Sequence, residues 1–338
     1  MSFAKASVTL GSEAACRLAE GLRQEATRRG LTRLGIASPD RLPPRRVLED
    51  WLAQGRHAGI AYLARHLETR LDPRRLLSSL GSIVSVAIPY FMPDPPDSSV
   101  IGPWREVRVA RYAWGEDYHQ VLGRKLRELL GWIEREVPGV EGRVAVDTTP
   151  LLERHWAVQA GLGWIGRNGN LIVPGMGSWV FLGEILLDLP LPPDDAMQWR
   201  CGACRRCVDA CPGAALFESE PMDARRCISY WTIEHRGPFP DEGRPRAAPW
   251  LFGCDVCLEV CPHNRHAPPA TEPLWAAVPE WVSWDRETWQ GLTAAEFERE
   301  FSRTPLARAG FKGIRRNLEA LEREAGGPGP ESAPGHSG

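Results

Sequence analysis

Apolar positions along this 338-residue chain recur with two periods, and each period predicts a kind of element. Residues 13–29 read as an amphipathic helix, and "LTRLGIAS" (31–38) as a strand beyond the Gly30 stop. "RRVLEDWLAQG" and "GIAYLARHLETR" predict short helices, and "SIVSVAIPYF" (82–91) a buried strand before the loop "MPDPPDSS". The helix over 116–136 is the clearest, with an apolar stripe of Val121, Leu122, Leu126, Leu129, Leu130 and Ile133. "GRVAVDT" (142–148) reads as a strand and "LLERHWAVQAGL" as a helix just after Pro150. Two strand-like pieces, "NLIVP" and "SWVFLGEILLDL", then flank the turn "GMG". Such alternation argues for an α/β or α+β domain ending near Pro190, with "LPPDDAMQ" as its boundary. Beyond Pro262 the chain is rich in tryptophan and then helical, with two helices broken around Arg303–Pro305. The last stretch, 326–338, is Gly, Pro and Ser without an apolar anchor and reads as a disordered tail.

Composition adds little to this picture. Hydrophobic residues make up 43% and charged residues 25%, as in ordinary globular proteins. The formal net charge of −2 gives no global reason to expect nucleic acid. Only Lys5, Lys125 and Lys312 are lysines, and arginine excess between Arg23 and Arg75 offers a local basic patch. The first residues show neither a secretory nor a twin-arginine signal, and no apolar run of about 18 residues could span a bilayer. A cytoplasmic location is expected, where a disulfide framework is not.

Eight of the nine cysteines fall between 201 and 261. The first burst is C-x2-C-x2-C-x3-C-P (Cys201, Cys204, Cys207, Cys211, Pro212), the run of bacterial ferredoxins whose fourth cysteine serves the other cluster. The second, C-x2-C-x3-C-P (Cys254, Cys257, Cys261, Pro262), is one cysteine short, and Cys227 between them supplies it. By the exchange rule Cys201, Cys204, Cys207 and Cys261 hold one 4Fe–4S cluster; Cys211, Cys227, Cys254 and Cys257 hold the second. Zinc ribbons also use C-x2-C pairs, but as two separated pairs. Cys16 reads as a small core residue of the first helix.

Clusters conduct electrons without naming a reaction. Asp147 ends a strand ahead of a helix, where side chains point into α/β clefts; an N-cap or Asx turn accounts for the same residue. Glu153 and Arg154 read as a solvated or salt-bridged helix face.

Together "ARYAWGEDYH" (110–119), "VDTTPLLER" (146–154), "AGLGWIGRNGNLI" (160–172), "GSWVFLGEILLD" (177–188), the cysteine run, "CISYWTIE" (227–234) and "FGCDVCLEVCPHN" (252–264) resemble the epoxyqueuosine reductases, in order over about residues 55–265. The resemblance implies a nitroreductase-like corrinoid-binding catalytic domain over 1–190 and a ferredoxin-like domain over 191–265. A short helical segment over 266–325 would be at most a truncated HEAT-like repeat. It implies base-off cobalamin fed by two 4Fe–4S clusters, a tRNA substrate with epoxyqueuosine at the wobble position, and a monomer served by an external reductant such as ferredoxin or flavodoxin. The family's general acid falls on Asp147, and an apolar corrin surface would raise its pKa. Arg70, Ala110, Tyr112, Leu171, Leu182, Ser229, Cys254 and Asp255 correspond to the corrin surroundings, with Ser178 a further hydrogen-bonding candidate; the leucines also suit a core strand. Arg315 and Arg316 join the N-terminal arginines as candidates for tRNA phosphate contact. The corrinoid-ligating D-x-H-x-x-G pattern is missed by one residue at Asp117, His119 and Gly123, so His119 reads as structural or rim-lining. A reductive dehalogenase shares the cofactor plan but usually carries a twin-arginine signal; a non-catalytic two-cluster carrier leaves residues 1–190 without a task.

Overall fold

A computed structural model of the chain describes residues 9–94, 107–240 and 245–326. The first half contains helices α1 (Ser12–Arg28), α2 (Arg45–Ala53), α3 (Ala61–Arg65), α4 (Leu67–Leu71), α5 (Tyr118–Glu136) and α6 (Glu153–Gln159). Its strands are β1 (Arg33–Ala37), β2 (Ser82–Pro89), β3 (Arg108–Val109), β4 (Gly142–Ala145), β5 (Trp164–Ile165), β6 (Leu171–Ile172) and β7 (Val180–Leu187). The second half adds α7 (Arg206–Asp209), β8 (Trp250–Phe252), α8 (Val256–Glu259), α9 (Pro273–Ala276), α10 (Arg286–Gly291), α11 (Ala294–Phe301) and α12 (Gly310–Gly326).

A four-stranded sheet, in the order β1-β2-β7-β4, organises the first half, and every neighbouring pair is antiparallel. Of the two classes that the periodicity left open, antiparallel pairing selects α+β. Strands β2 and β7 are buried almost throughout because both faces of the sheet are covered. Val84, Val86 and Ile88 point to the face packed by α1 and α5. Ile83 and Ala87, one residue out of phase, join Trp156 and Ala157 of α6 on the other face. Gly183 of β7 faces Leu122 and Leu126 of α5 so closely that an added Cβ would stand 2.7 Å from Leu126. The predicted strand "NLIVP" contributes only β6, which pairs with β5 in a separate hairpin.

A further core gathers Met92, Val107, Val109, Ala113 and Trp114 with Trp250, Trp281, Trp289, Phe297, Phe301 and Leu318. Its bridge is β3, which pairs in parallel with β8. The C-terminal helices break as expected, α11 giving way to α12 across a 3-10 turn at Pro305–Arg308. Thr293 and Glu296 form a reciprocal capping box at the start of α11. Cys16 is exposed rather than in the core, because the buried side of α1 runs through Ala15, Leu18, Ala19, Leu22 and Ala26. The expected loop over 92–99 and the expected tail lie largely outside the described residues. No helix among the described residues is long and apolar enough to cross a membrane.

Candidate active site

Between the sheet, the β5–β6 hairpin and the cysteine segment lies a cavity of about 630 Å³, within the usual range for cofactor sites. Nine of the expected corrin-facing residues line it: Ala110, Tyr112, Asp147, Leu171, Ser178, Leu182, Ser229, Cys254 and Asp255. Arg70 does not; it is buried behind Tyr62, a lining residue, with its guanidinium 5.9 Å from that ring. Asp255 also ties the cysteine segment to the first half by accepting the Arg111 backbone N–H at 2.7 Å.

The acid side of the cavity grows out of two chain ends. Asp147 follows β4 with φ +41°, a left-handed conformation that Asp tolerates better than most residues. Its backbone N–H donates to the carboxylate of Glu153 at the first position of α6. Asp117 caps α5, accepting the His119 N–H at 3.0 Å, and so places the His119 ring against Asp147, which lines the cavity. His119 then bridges two carboxylates, with Nδ1 2.6 Å from Asp117 Oδ1 and Nε2 3.0 Å from Asp147 Oδ2.

These contacts set the charges. Burial opposes the imidazolium of His119, but the bonds to Asp117 and Asp147 outweigh it and lift the group to about 9. Burial likewise works to raise Asp147, yet His119, the Tyr118 hydroxyl and Arg154 hold its carboxyl below the usual range. Desolvation and the charge of Asp147 push Glu153 up to about 7. Glu184 in the middle of β7 is fully buried, and burial with the charge of Glu153 holds its carboxyl well above the usual carboxylate range.

One expectation changes here and another gains its partner. Glu153 is not a freely solvated helix face: it is half-buried, its carboxylate accepts the Asp147 N–H, and it lines the cavity beside the more exposed Arg154. His119, read as structural or rim-lining, forms an ion pair with Asp147. The Asp-x-His spacing before a long helix was the signal for it, since it combines a cap with a ring two residues on.

The eight clustered cysteines form no disulfide and fall into two sets. Cys211, Cys227, Cys254 and Cys257 line the main cavity. Cys201, Cys204, Cys207 and Cys261 line a separate recess with Arg167, Arg206 and His263. Among the described residues no group of three or more ligands converges as a single metal ion requires. Burial pushes Cys254 up to about 12, and Cys257 is also raised, by burial and by Cys254 and Cys227, so these thiols need bound cationic metal to ionise. A four-iron cube in each set fits the spacing of the thiols. For the cavity itself, the buried Ser178 Oγ and Asn168 Nδ2 have no hydrogen-bond partner among the described residues. They suit a large neutral ligand with an amide rim.

The arginines expected to meet tRNA are committed elsewhere. Arg316 donates to the carbonyls of His235 (2.7 Å), Trp231 (3.1 Å) and Gly237 (3.2 Å) and stacks over Phe239, while Arg315 donates to the Gln290 carbonyl. In the N-terminal patch Arg23 pairs with Asp194, Arg45 with Glu68 and Arg56 with Glu220.

Comparison with known proteins places this geometry. Residues 70–148 match the family model described as epoxyqueuosine reductase QueG, DUF1730, and residues 200–264 match a 4Fe-4S double cluster binding domain. The chain is 39% identical over 306 residues to the epoxyqueuosine reductase of Cyclobacterium marinum, covering 90% of this chain and 96% of that one. It is similar to a crystal structure of epoxyqueuosine reductase with a tRNA-Tyr epoxyqueuosine-modified stem loop, with TM-score 0.81, 30% identity and coverage of 90% and 80%. It is also similar to the Bacillus subtilis enzyme with an aspartate catalytic loop swung out of the active site, with TM-score 0.78, 31% identity and coverage of 90% and 81%.

Proposed function

The chain belongs to the epoxyqueuosine reductase family, and from that premise we propose that its cavity removes the epoxide oxygen of epoxyqueuosine in tRNA, leaving the alkene of queuosine. The reaction consumes two electrons and two protons and releases water. The observation that carries the reading is the meeting of both halves at one cavity: Asp147 on one wall, four ferredoxin-type thiols on another.

Cys211, Cys227, Cys254 and Cys257 would hold the 4Fe–4S cluster beside the cavity, and Cys201, Cys204, Cys207 and Cys261 the outer one. Ala110, Tyr112, Leu171, Ser178, Leu182, Ser229 and Asp255 would surround cobalamin. When bound, that group supplies a strongly reducing, nucleophilic metal centre. The chain's own part is to hold and deliver a proton. With Asp147 held low and His119 lifted to about 9, the pair carries its proton on the imidazole Nε2 at neutral pH. As negative charge develops on the departing oxygen, the Nε2 proton of His119 crosses the 3.0 Å contact to Asp147, which delivers it to that oxygen, and the second proton that completes the water comes from solvent. Asp117 keeps the His119 ring aligned, and Glu153 fixes the backbone of Asp147.

Anaerobically reconstituted protein, given epoxyqueuosine-containing tRNA and a chemical reductant, is expected to yield queuosine when the released nucleosides are analysed by mass. Unchanged epoxyqueuosine in the presence of both clusters and bound corrinoid would overturn the reading.

A further inference from the structure

We propose that the face around Cys201, Cys204, Cys207 and Cys261 docks an acidic one-electron carrier protein. This rests on the reading above, in which electrons must reach the cavity from outside.

The two thiol sets are not equivalent. One lines the substrate cavity; the other lines its own small recess at the surface, beside Arg167 and Arg206. An electron bound for the cavity therefore has its natural entry at the second set. The surface there is unusual for this chain. Exposed large hydrophobic side chains among the described residues are few, and two of them, Ile165 (39% exposed) and Trp199 (50%), flank Arg167. The Arg167 guanidinium lies 5.0 Å from the Trp199 ring and donates to the Gly202 carbonyl at 2.9 Å and to that of Glu218. Trp199 is thereby fixed to the loop between Cys201 and Cys204, with Ile165 two residues before Arg167 at the end of β5.

Charge completes the case. Arg205 is offset by Asp209 at 3.3 Å and Glu218 at 3.6 Å. Arg200 and Arg206 are exposed and have no acidic partner among the described residues. Several arginines elsewhere, Arg23, Arg45 and Arg56 among them, sit in ion pairs. An apolar centre with uncompensated cations beside it complements a carrier with an acidic rim, and such pairing speeds encounter more than it tightens binding. Each encounter oxidises the carrier by one electron and reduces the outer cluster by one. Two encounters supply the pair of electrons that one epoxide consumes.

The test compares wild type with an Arg200→Glu/Arg206→Glu variant, both reconstituted and matched for iron content and visible spectrum. Each is mixed in stopped flow with a reduced plant-type ferredoxin, an acidic carrier, and separately photoreduced with a neutral deazaflavin. The wild-type ferredoxin rate should fall as salt rises, and the variant should be about tenfold slower at low salt with a flatter salt dependence. Deazaflavin should reduce both at the same rate. A ferredoxin rate unchanged in the variant would overturn the proposal. So would an equal slowing with deazaflavin, which would put the effect in the cluster instead of the docking. Failure of the functional reading would appear in the nucleoside assay with chemical reductant, independently of these rates.

Discussion

At Asp147 two physical effects oppose each other on one carboxyl group. Removal from water favours the protonated acid, which the resemblance alone led us to expect; the His119 imidazolium favours the carboxylate, and it wins. The proton is not lost to the site but moved one contact away. Asp147→Asn keeps the side chain's size and cannot relay a proton, so it should bind both clusters and tRNA while turnover falls by about 10²–10⁴. Full activity in that well-folded variant would sink the mechanism. His119 adds a pH signature with a definite sign. Its pKa is raised from 6.5 to about 9, so the stored proton is present below that range and lost as pH rises through it. Turnover should decline above about pH 9, and that limb should vanish in His119→Gln; its survival would place the proton elsewhere.

Elements were readable wherever one period ran long enough. The α5 stripe, the apolar β2 and β7, and the broken C-terminal pair all follow from spacing. Strand direction was not readable, because a strand buried on both faces looks the same in parallel and antiparallel sheets. Glu153 was misread for a related reason: α6 has seven residues, too few for a stripe to show which side meets the sheet end. The candidate cofactor ligands were the most legible part, since thiols at ferredoxin spacing leave little choice of partner. Cys227 tests that legibility. It follows a 3-10 turn at Ala224–Arg226, far in sequence from the thiols it joins at the cavity. Cys227→Ala should lose about half of an iron content of about eight per chain, sparing the outer cluster. Both clusters retained with unchanged spectra would refute the assignment.

At the scale of the whole molecule, the net charge of −2 has to be squared with a tRNA substrate. The arginine excess is mostly spent inside the chain, and Arg316 shows how. Its guanidinium collects three carbonyls from the 231–237 segment, and the adjacent Asn317 donates to the carbonyls of Thr232 (2.9 Å) and Leu251 (2.8 Å). Together they clamp α12 onto β8, the strand that pairs with β3 and so joins the two halves around the cavity. Arg316→Ala should therefore act on stability, leaving carbonyls short of a donor at a cost of about 1–3 kcal/mol. Thermal unfolding should shift down by about 2–4 °C for each kcal/mol lost. A residue that met a phosphate would behave differently: removing it would lower the salt slope of tRNA binding by about 1 and leave the melting temperature alone. Measuring both in one variant separates the roles. We expect the melting temperature to fall and the salt slope to stay; the reverse would return Arg316 to the tRNA surface.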